Sequence, residues 1–322
     1  MILKTIKKIL KMKTKIKYIS LLLAFGIFYS CQDGQGEKLY YGDGTLKQSG
    51  SFKDSLRTGV WKYYHKNGKM SISGNYENGV QTGQWKYYYE SGQLQEEGSL
   101  NKTDRVGYWK YYYEDGKMSN EGNYTDNYKT GIWKNYNKKG YLQSVGSLKE
   151  GVNDGPWKFY FENQETQREG SFKNGIHVGE WKNYYNKGDG ISILINYVGE
   201  GKTGEWKYFH RNGELSRIGN FVDAKRKGEW KTYATNGTLT SIGVFKDGNV
   251  DGRWKFYHSN GQLSSEWIYA EGKIKKVISM YDSQGNKQDK GKLVNGNGTI
   301  NLYNINGTLL KTVNVVNGTP EQ

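Results

Sequence analysis

Three sets of residues in this 322-residue chain have types and spacing that could do chemistry. The first is a lysine column: Lys62, Lys86, Lys110, Lys134, Lys158, Lys182, Lys207, Lys231 and Lys255 each follow a tryptophan directly. Two places after each lysine stands an aromatic residue, from Tyr64 through Tyr136, Phe209 and Tyr233 to Tyr257. Ammonium groups interleaved with rings make a surface for phosphate, anionic lipid or acidic glycan, and tyrosine planes stack on sugars or cations. The second set is His65, His210 and His258, which share one repeat position while other copies lack it, so no metal site is assigned. The third is a single thiol, Cys31, whose solitude excludes a disulfide scaffold and any cysteine-based metal cluster. No Ser/His/Asp set, paired-carboxylate motif or phosphate loop stands in the sequence. The expectation is a protein with no catalytic residues, no metal and no cofactor, and therefore not an enzyme.

The elements that must position these columns follow from a repeat. Trp61, Trp85, Trp109, Trp133, Trp157, Trp181, Trp206, Trp230 and Trp254 stand 24 residues apart, except for one gap of 25 between Trp181 and Trp206. Each has Gly two before it and Lys one after it. With Trp as position 0, position 7 is nearly always Gly, as in Asn67-Gly68 and Asn260-Gly261. Position 9 is mostly Leu or Met, position 13 is Gly in seven copies, and position 15 is Tyr, Phe or Leu. A second turn follows, as in Asn78-Gly79 and Asp247-Gly248. Composition agrees: 44 Gly, 2 Pro, 28 Tyr and 10 Trp favour β-strands broken by glycine turns, and the rings argue against disorder despite an apolar share of only 35%.

Asn-Gly between two β-prone runs signals a hairpin with a type I′ turn. If positions 6 and 7 are the loop, paired positions sum to 13. Trp 0 then faces Gly 13, where a ring covers bare backbone, and position 4 faces position 9. Alternation places Trp 0 with positions 2, 9 and 15 on an apolar face, and Lys 1 with Tyr 3 on a wet aromatic face. Position 1 faces position 12, which sets Glu97, Glu121, Glu169 and Glu266 opposite Lys86, Lys110, Lys158 and Lys255. Such pairs contribute ~0.2–1 kcal/mol. Lys62, Lys134, Lys207 and Lys231 instead face Ser73, Val145, Ile218 and Ile242. The stripe reads either as solvated structure or as a ligand face made of Lys62, Tyr64, Lys134, Tyr136, Lys207, Phe209, Lys231 and Tyr233. The tryptophan column reads as core. The 25-residue unit, with Gly188-Asp189-Gly190, predicts a bulge or altered hairpin.

The array covers 37–322: Trp-bearing units over 61–277 and degenerate capping units over 37–60 and 278–322, where Ile278 and Ile300 take the Trp place. The fold expected is all-β, an elongated single-layer β-hairpin solenoid of about twelve ~24-residue repeats. The unit Gly-x-Trp-Lys-x-Tyr…Asn-Gly-x-Leu…Gly-x-Tyr resembles the bacterial MORN-variant repeat, which also occurs in YwqK-family antitoxins of toxin–antitoxin modules. That resemblance implies a hairpin solenoid that binds proteins or lipids, and opens an antitoxin or immunity role.

Residues 1–30 differ from all that follows. Seven lysines from Lys4 to Lys17 stand without an acid and precede an apolar stretch, Ile19–Tyr29. This reads as a secretory signal, too short for a transmembrane helix of ~20 apolar residues. Phe28-Tyr29-Ser30-Cys31 resembles the lipobox of a bacterial lipoprotein signal, of the loose kind found in Bacteroidetes, with Phe where Leu is usual. The resemblance implies acylation at Cys31, a polar tether over 31–38, and a lipid anchor in the outer membrane of the cell envelope, with Met1 or Met12 as the start. Cleavage would reduce the formal net charge from +15 to +8, which weakens any nucleic-acid reading. The leading expectation is a non-enzymatic, membrane-anchored scaffold for protein–protein interaction. An antitoxin and a glycan- or anionic-lipid-binding module are the alternatives.

Overall fold

In a computed structural model, residues 36–199 and 203–321 are described, and Cys31 lies outside them. The described chain is all-β and divides into two compact units, one reaching Val106 with Glu114–Gly116, the other comprising Gly107–Tyr113 and Lys117 onward. In the first unit, strands Gly36–Tyr40, Leu46–Lys53, Leu56–Tyr64, Met70–Glu77, Val80–Tyr88 and Leu94–Asn101 pair antiparallel, each with the next. Gly36–Lys38, read from the sequence as tether, already pair with Ser49–Ser51. In the second unit, the same succession runs to the strand Lys273–Met280 and is followed by a small sheet of Leu293–Val294, Asn297–Tyr303, Leu309–Val316 and Thr319–Pro320.

The register expected from the glycine columns holds. Trp61 pairs with Gly74, Trp133 with Gly146, Trp157 with Gly170 and Trp230 with Gly243. The turn beyond it differs. In His65-Lys66-Asn67-Gly68 only Gly68 has positive φ, +81°, and its N–H donates to the His65 carbonyl at 3.0 Å. This is a type I turn closed by a left-handed glycine that forms a bulge. The bulge makes Tyr64 pair with Met70, so position 9 stands opposite position 3 rather than 4 and leaves the Trp side for the tyrosine column. The type I′ turns are the second set: Asn78 and Gly79 both have positive φ, and Glu77 pairs with Val80 across them.

A second bulge explains the glycine before each tryptophan. Between hairpins the register slips where Gly83 and Gln84 bulge, with Gly74 opposite Trp85 and Asn75 opposite Thr82. Gly83 has φ +67°, a left-handed conformation costly to any residue with a Cβ. The slip aims each indole backwards. The Trp85 ring lies on Gly74 of the preceding hairpin, where an added Cβ would collide with it, and Trp61, Trp133, Trp157, Trp181, Trp230 and Trp254 lie likewise on Gly50, Gly122, Gly146, Gly170, Gly219 and Gly243. The ring therefore covers the glycine of the preceding hairpin, while its backbone pairs with the glycine of its own.

The core follows from this interlock. Several indole N–H groups donate to the carbonyl ten residues back, as from Trp61 to Ser51 at 3.1 Å and from Trp181 to Ser171 at 3.0 Å, while that of Trp85 donates to the Thr82 carbonyl at 3.2 Å. Position 15 fills the gaps edge-on: Phe172 lies 5.0 Å from Trp181 at 81°, and Phe221 lies 5.3 Å from Trp230 at 88°. Such contacts contribute ~0.5–1.5 kcal/mol beyond the area they bury. Hairpin ends are tied as well. The Asn67 amide donates to the Glu90 carbonyl at 2.7 Å, and the Gly79 N–H to the Arg57 carbonyl at 2.9 Å.

Where position 13 is not glycine, the interlock changes. Ile195 pairs with Trp181, and the ladder from Ile193–Tyr197 to Gly204–Tyr208 runs without a bulge. Trp206 is then only half-buried, and its indole N–H has no acceptor. The extra residue of this unit sits in its first turn, where Tyr185 bonds the Gly190 carbonyl and the Glu165 carboxylate accepts from the N–H of Lys187 and Gly188. At the far end Trp267 occupies the glycine place opposite Trp254, and the next hairpin offers Val277, 1% exposed, instead of a ring. The residue in the Trp place is thus Val277, not Ile278, because a bulge at Glu266/Trp267 shifts the register. Ile300 is buried as expected, with Leu293 and Val315.

Candidate functional site

Each strand presents one side chain to the tryptophan side and the next to the lysine side. On the lysine side of the second unit, Glu121 stands opposite Lys110 in its own hairpin and Lys134 in the next. Its carboxylate lies 3.4 Å from the Lys134 ammonium and accepts the Tyr136 hydroxyl at 2.7 Å. Burial pushes this carboxyl up, but hydrogen bonds from Tyr136, Tyr108 and Lys134 outweigh it and hold the group below its ordinary value. Burial first, and then its hydrogen bond to the Glu121 carboxylate, push the Tyr108 phenol up to about 12. Glu169 is bound by the lysine of its own hairpin, Lys158 at 2.9 Å, and by the next hairpin's Tyr184 at 2.7 Å.

The eight candidate residues fall as follows. Lys134 and Tyr136 converge on Glu121. Lys207 pairs with Glu205 at 2.9 Å and Lys231 with Glu229 at 3.0 Å, both on their own strand. Lys62, in the first unit, is exposed between Ser49 and Ser73. Cross-strand matching inside one hairpin therefore undercounts acids, because a sheet strand has a second neighbour and a side chain two places back. At position 3 the backbone is as busy as the ring. The carbonyls of Tyr64, Tyr136 and Phe209 accept from the hydroxyls of Tyr41, Tyr113 and Tyr185, and that of Tyr233 bonds His210 Nε2 at 3.0 Å. His65 and His258 do the same for Tyr88 and Tyr281. The histidine column thus ties hairpin to hairpin, in a place where tyrosine serves equally.

Sequence reasoning missed two features. The first is position −1, which lies on the lysine side and is exposed. In the second unit it begins as Tyr108, Ile132 and Pro156, with Tyr108 46% and Ile132 51% exposed. It continues as Glu180, Glu205 and Glu229, each paired with the lysine two places on. Position −1 is therefore apolar in one half of this side and charge-paired in the other. The second is a set of cations on the tryptophan side. Arg57 lies 4.6 Å from the Trp61 ring centre, Lys129 4.2 Å from Trp133 and Arg226 4.9 Å from Trp230. All three stand four residues before a tryptophan, a spacing visible in the sequence. Among the described residues no group of three or more His, Cys, Asp or Glu is placed to hold a metal ion, and no helix is long and apolar enough to cross a membrane.

The MORN repeat variant family model matches residues 57–78, 81–102, 105–126, 153–174, 202–223, 226–247 and 250–271, each opening four residues before a Trp. No curated protein matches the chain. Among solved structures, one described as the crystal structure of TcdB2-TccC3-Cdc42 is similar over 87% of this chain and 16% of that chain, at 11% identity and a TM-score of 0.19. A likeness at that score carries no argument.

Proposed function

Starting from a chain that carries seven MORN-variant repeats, we propose a non-enzymatic scaffold, held by a lipid on Cys31 at the bacterial envelope, that docks a protein partner. The observation that carries the docking is the row Tyr108, Ile132 and Pro156. Successive members sit two strands apart, about 10 Å, beside the Glu121–Lys134–Tyr136 cluster. An exposed apolar row with a polar border is what a protein interface looks like before it is covered. The ion pairs of Lys134, Lys207 and Lys231 favour this reading over a stripe for anionic lipid or glycan, since a polyanion would compete with carboxylates already in place. A secreted toxin is one partner class compatible with it, and a toxin gene adjacent to this one would favour that choice. Anchoring rests on the position of Cys31 directly after the apolar stretch, with an outer-membrane location as its consequence.

Co-purification of the full chain from envelope fractions, read by mass spectrometry, tests the docking. Ile132→Glu should lose a partner that the wild type and Lys62→Glu retain. Retention by Ile132→Glu would refute the face. Anchoring is tested with a palmitate analogue, and equal labelling of wild type and Cys31→Ala would refute it.

A further inference from the structure

The tryptophan side of the second unit holds a groove that the docking reading does not use. Position 2 carries a ring in most hairpins, as Tyr63, Tyr87, Tyr111, Phe159, Tyr208 and Phe256. It is Asn135, Asn183 and Thr232 in the others. At Asn135 the gap is spanned by hydrogen bonds through Asn120, Asn135 and Ser144. At Asn183 the facing residues are Arg168, stacked 4.1 Å from the Phe159 ring, and Ile193, packed in the core. At Thr232 the facing residues are Arg217 and Ser241, and the gap stays open. A cavity of about 350 Å³ results, lined among others by Arg217, Arg226, Thr232, Trp254, Phe256 and Tyr269. That volume lies at the small end of natural ligand clefts, ~300–1,000 Å³.

We infer that this groove binds a carboxylate-bearing sugar of an acidic saccharide. Its two arginines form no ion pair among the described residues, although acids pair with arginine elsewhere in the chain, as in Arg253 with Glu266. Arg226 is held over Trp230 at 4.9 Å and over Phe245 at 5.1 Å, and Arg217 stands 5.9 Å from the Tyr208 ring. A guanidinium presents its N–H groups in a planar fork, which suits a carboxylate. Phe256 and Tyr269 bring rings to the cavity wall, and Thr232 and Tyr269 are hydroxyl-bearing members of the same lining. Rings, hydroxyl-bearing residues and guanidiniums in one lining match a sugar acid, which has an apolar face, hydroxyls and a carboxylate, better than a polyglutamate segment, which has no face for a ring.

The probe is tri-galacturonic acid, titrated against the full chain by calorimetry, with its methyl ester and poly-glutamate as the other arms. The acid should bind, and the ester should bind at least tenfold more weakly. Arg217→Gln and Arg226→Gln should each weaken binding about tenfold, the loss expected for one charge-assisted hydrogen bond. Thr232→Phe restores the ring found in the same column of neighbouring hairpins, so it should fold with an unchanged or higher Tm and abolish binding. The inference is overturned if the acid does not bind, if ester or poly-glutamate binds equally well, or if a folded Thr232→Phe binds as the wild type does. Thr232 lies on the opposite side from Ile132, so either site can fail while the other stands.

Discussion

Alanine at Gly170 should be among the most damaging single-methyl additions in this protein. Gly170 pairs with Trp157 in its own hairpin, and the Trp181 ring of the next lies on its backbone, where a Cβ would collide with the indole. Overpacking of this kind costs ~1–3 kcal/mol when the neighbours can shift. Here the indole is 2% exposed, bonded to the Ser171 carbonyl, and edge-on to Phe172, so little room is left. If the ring is expelled, the lost hydrogen bond adds about 1 kcal/mol and the lost ring contact ~0.5–1.5 kcal/mol. The expected total is about 3–5 kcal/mol. Gly179→Ala in the same hairpin is the control. Its φ is +64° with open space around the Cβ, so only backbone strain of ~1–2 kcal/mol applies. The chain itself offers a compensating change, since Trp267 in the glycine place is met by Val277 in the Trp place. Gly170→Ala with Trp181→Val should therefore cost less than the sum of the single changes, with a coupling of about 1–3 kcal/mol. Stability in a repeat array is carried between neighbours. Urea unfolding should thus be joined by hydrogen exchange over 166–184, where the loss should concentrate. Equal costs for Gly170→Ala and Gly179→Ala, or strict additivity in the double variant, would refute the interlock.

Three smaller predictions accompany it. The Glu169 carboxyl is held below its ordinary value by hydrogen bonds from Lys158 and then Tyr184. Its stabilising effect is present above the unfolded carboxylate pKa, about 4.3, and is lost as pH falls through the lower folded value; Glu169→Gln should flatten the acid limb of Tm against pH and leave less stability at pH 7. Thr103 has φ +77° and Ala224 φ +64°, both left-handed in type I′ turns, so Thr103→Gly and Ala224→Gly should each stabilise by about 1 kcal/mol in urea unfolding, the β-branched threonine gaining more. His258 Nε2 lies 2.9 Å from the Tyr281 carbonyl; His258→Phe should cost about 1 kcal/mol by calorimetry, and His258→Tyr, which restores a donor as at Tyr113, should recover most of it.

Much of the hairpin was legible because its signals are local. Gly 7 and Gly 13 each fix a register, and the two agree, so the pairing of Trp 0 with Gly 13 followed from spacing alone. The turn type did not, because Asn-Gly also ends a type I turn with a glycine bulge, and only the φ of Asn67 separates the two. Of the candidate ligand face, the lysines and rings were visible, but the carboxylates of Glu121, Glu205 and Glu229 that occupy three of them were not. Those contacts come from the next hairpin or from two places back along the strand.

By itself the sequence determined the period, the all-β class and the tryptophan column that packs as core, since each depends on short-range backbone preference and side-chain alternation. Tertiary structure decided what lies between hairpins. A bulge like that at Gly83 aims an indole at the preceding glycine, as at Trp85, Trp181 and Trp230, and replacement of that glycine by Ile195 or Trp267 leaves an indole N–H without its acceptor. The gap at Thr232 stays open because neither Arg217 nor Ser241 fills it. These outcomes depend on which side chains meet across ladders between residues distant in the chain, where a slip of two positions exchanges one neighbour for another.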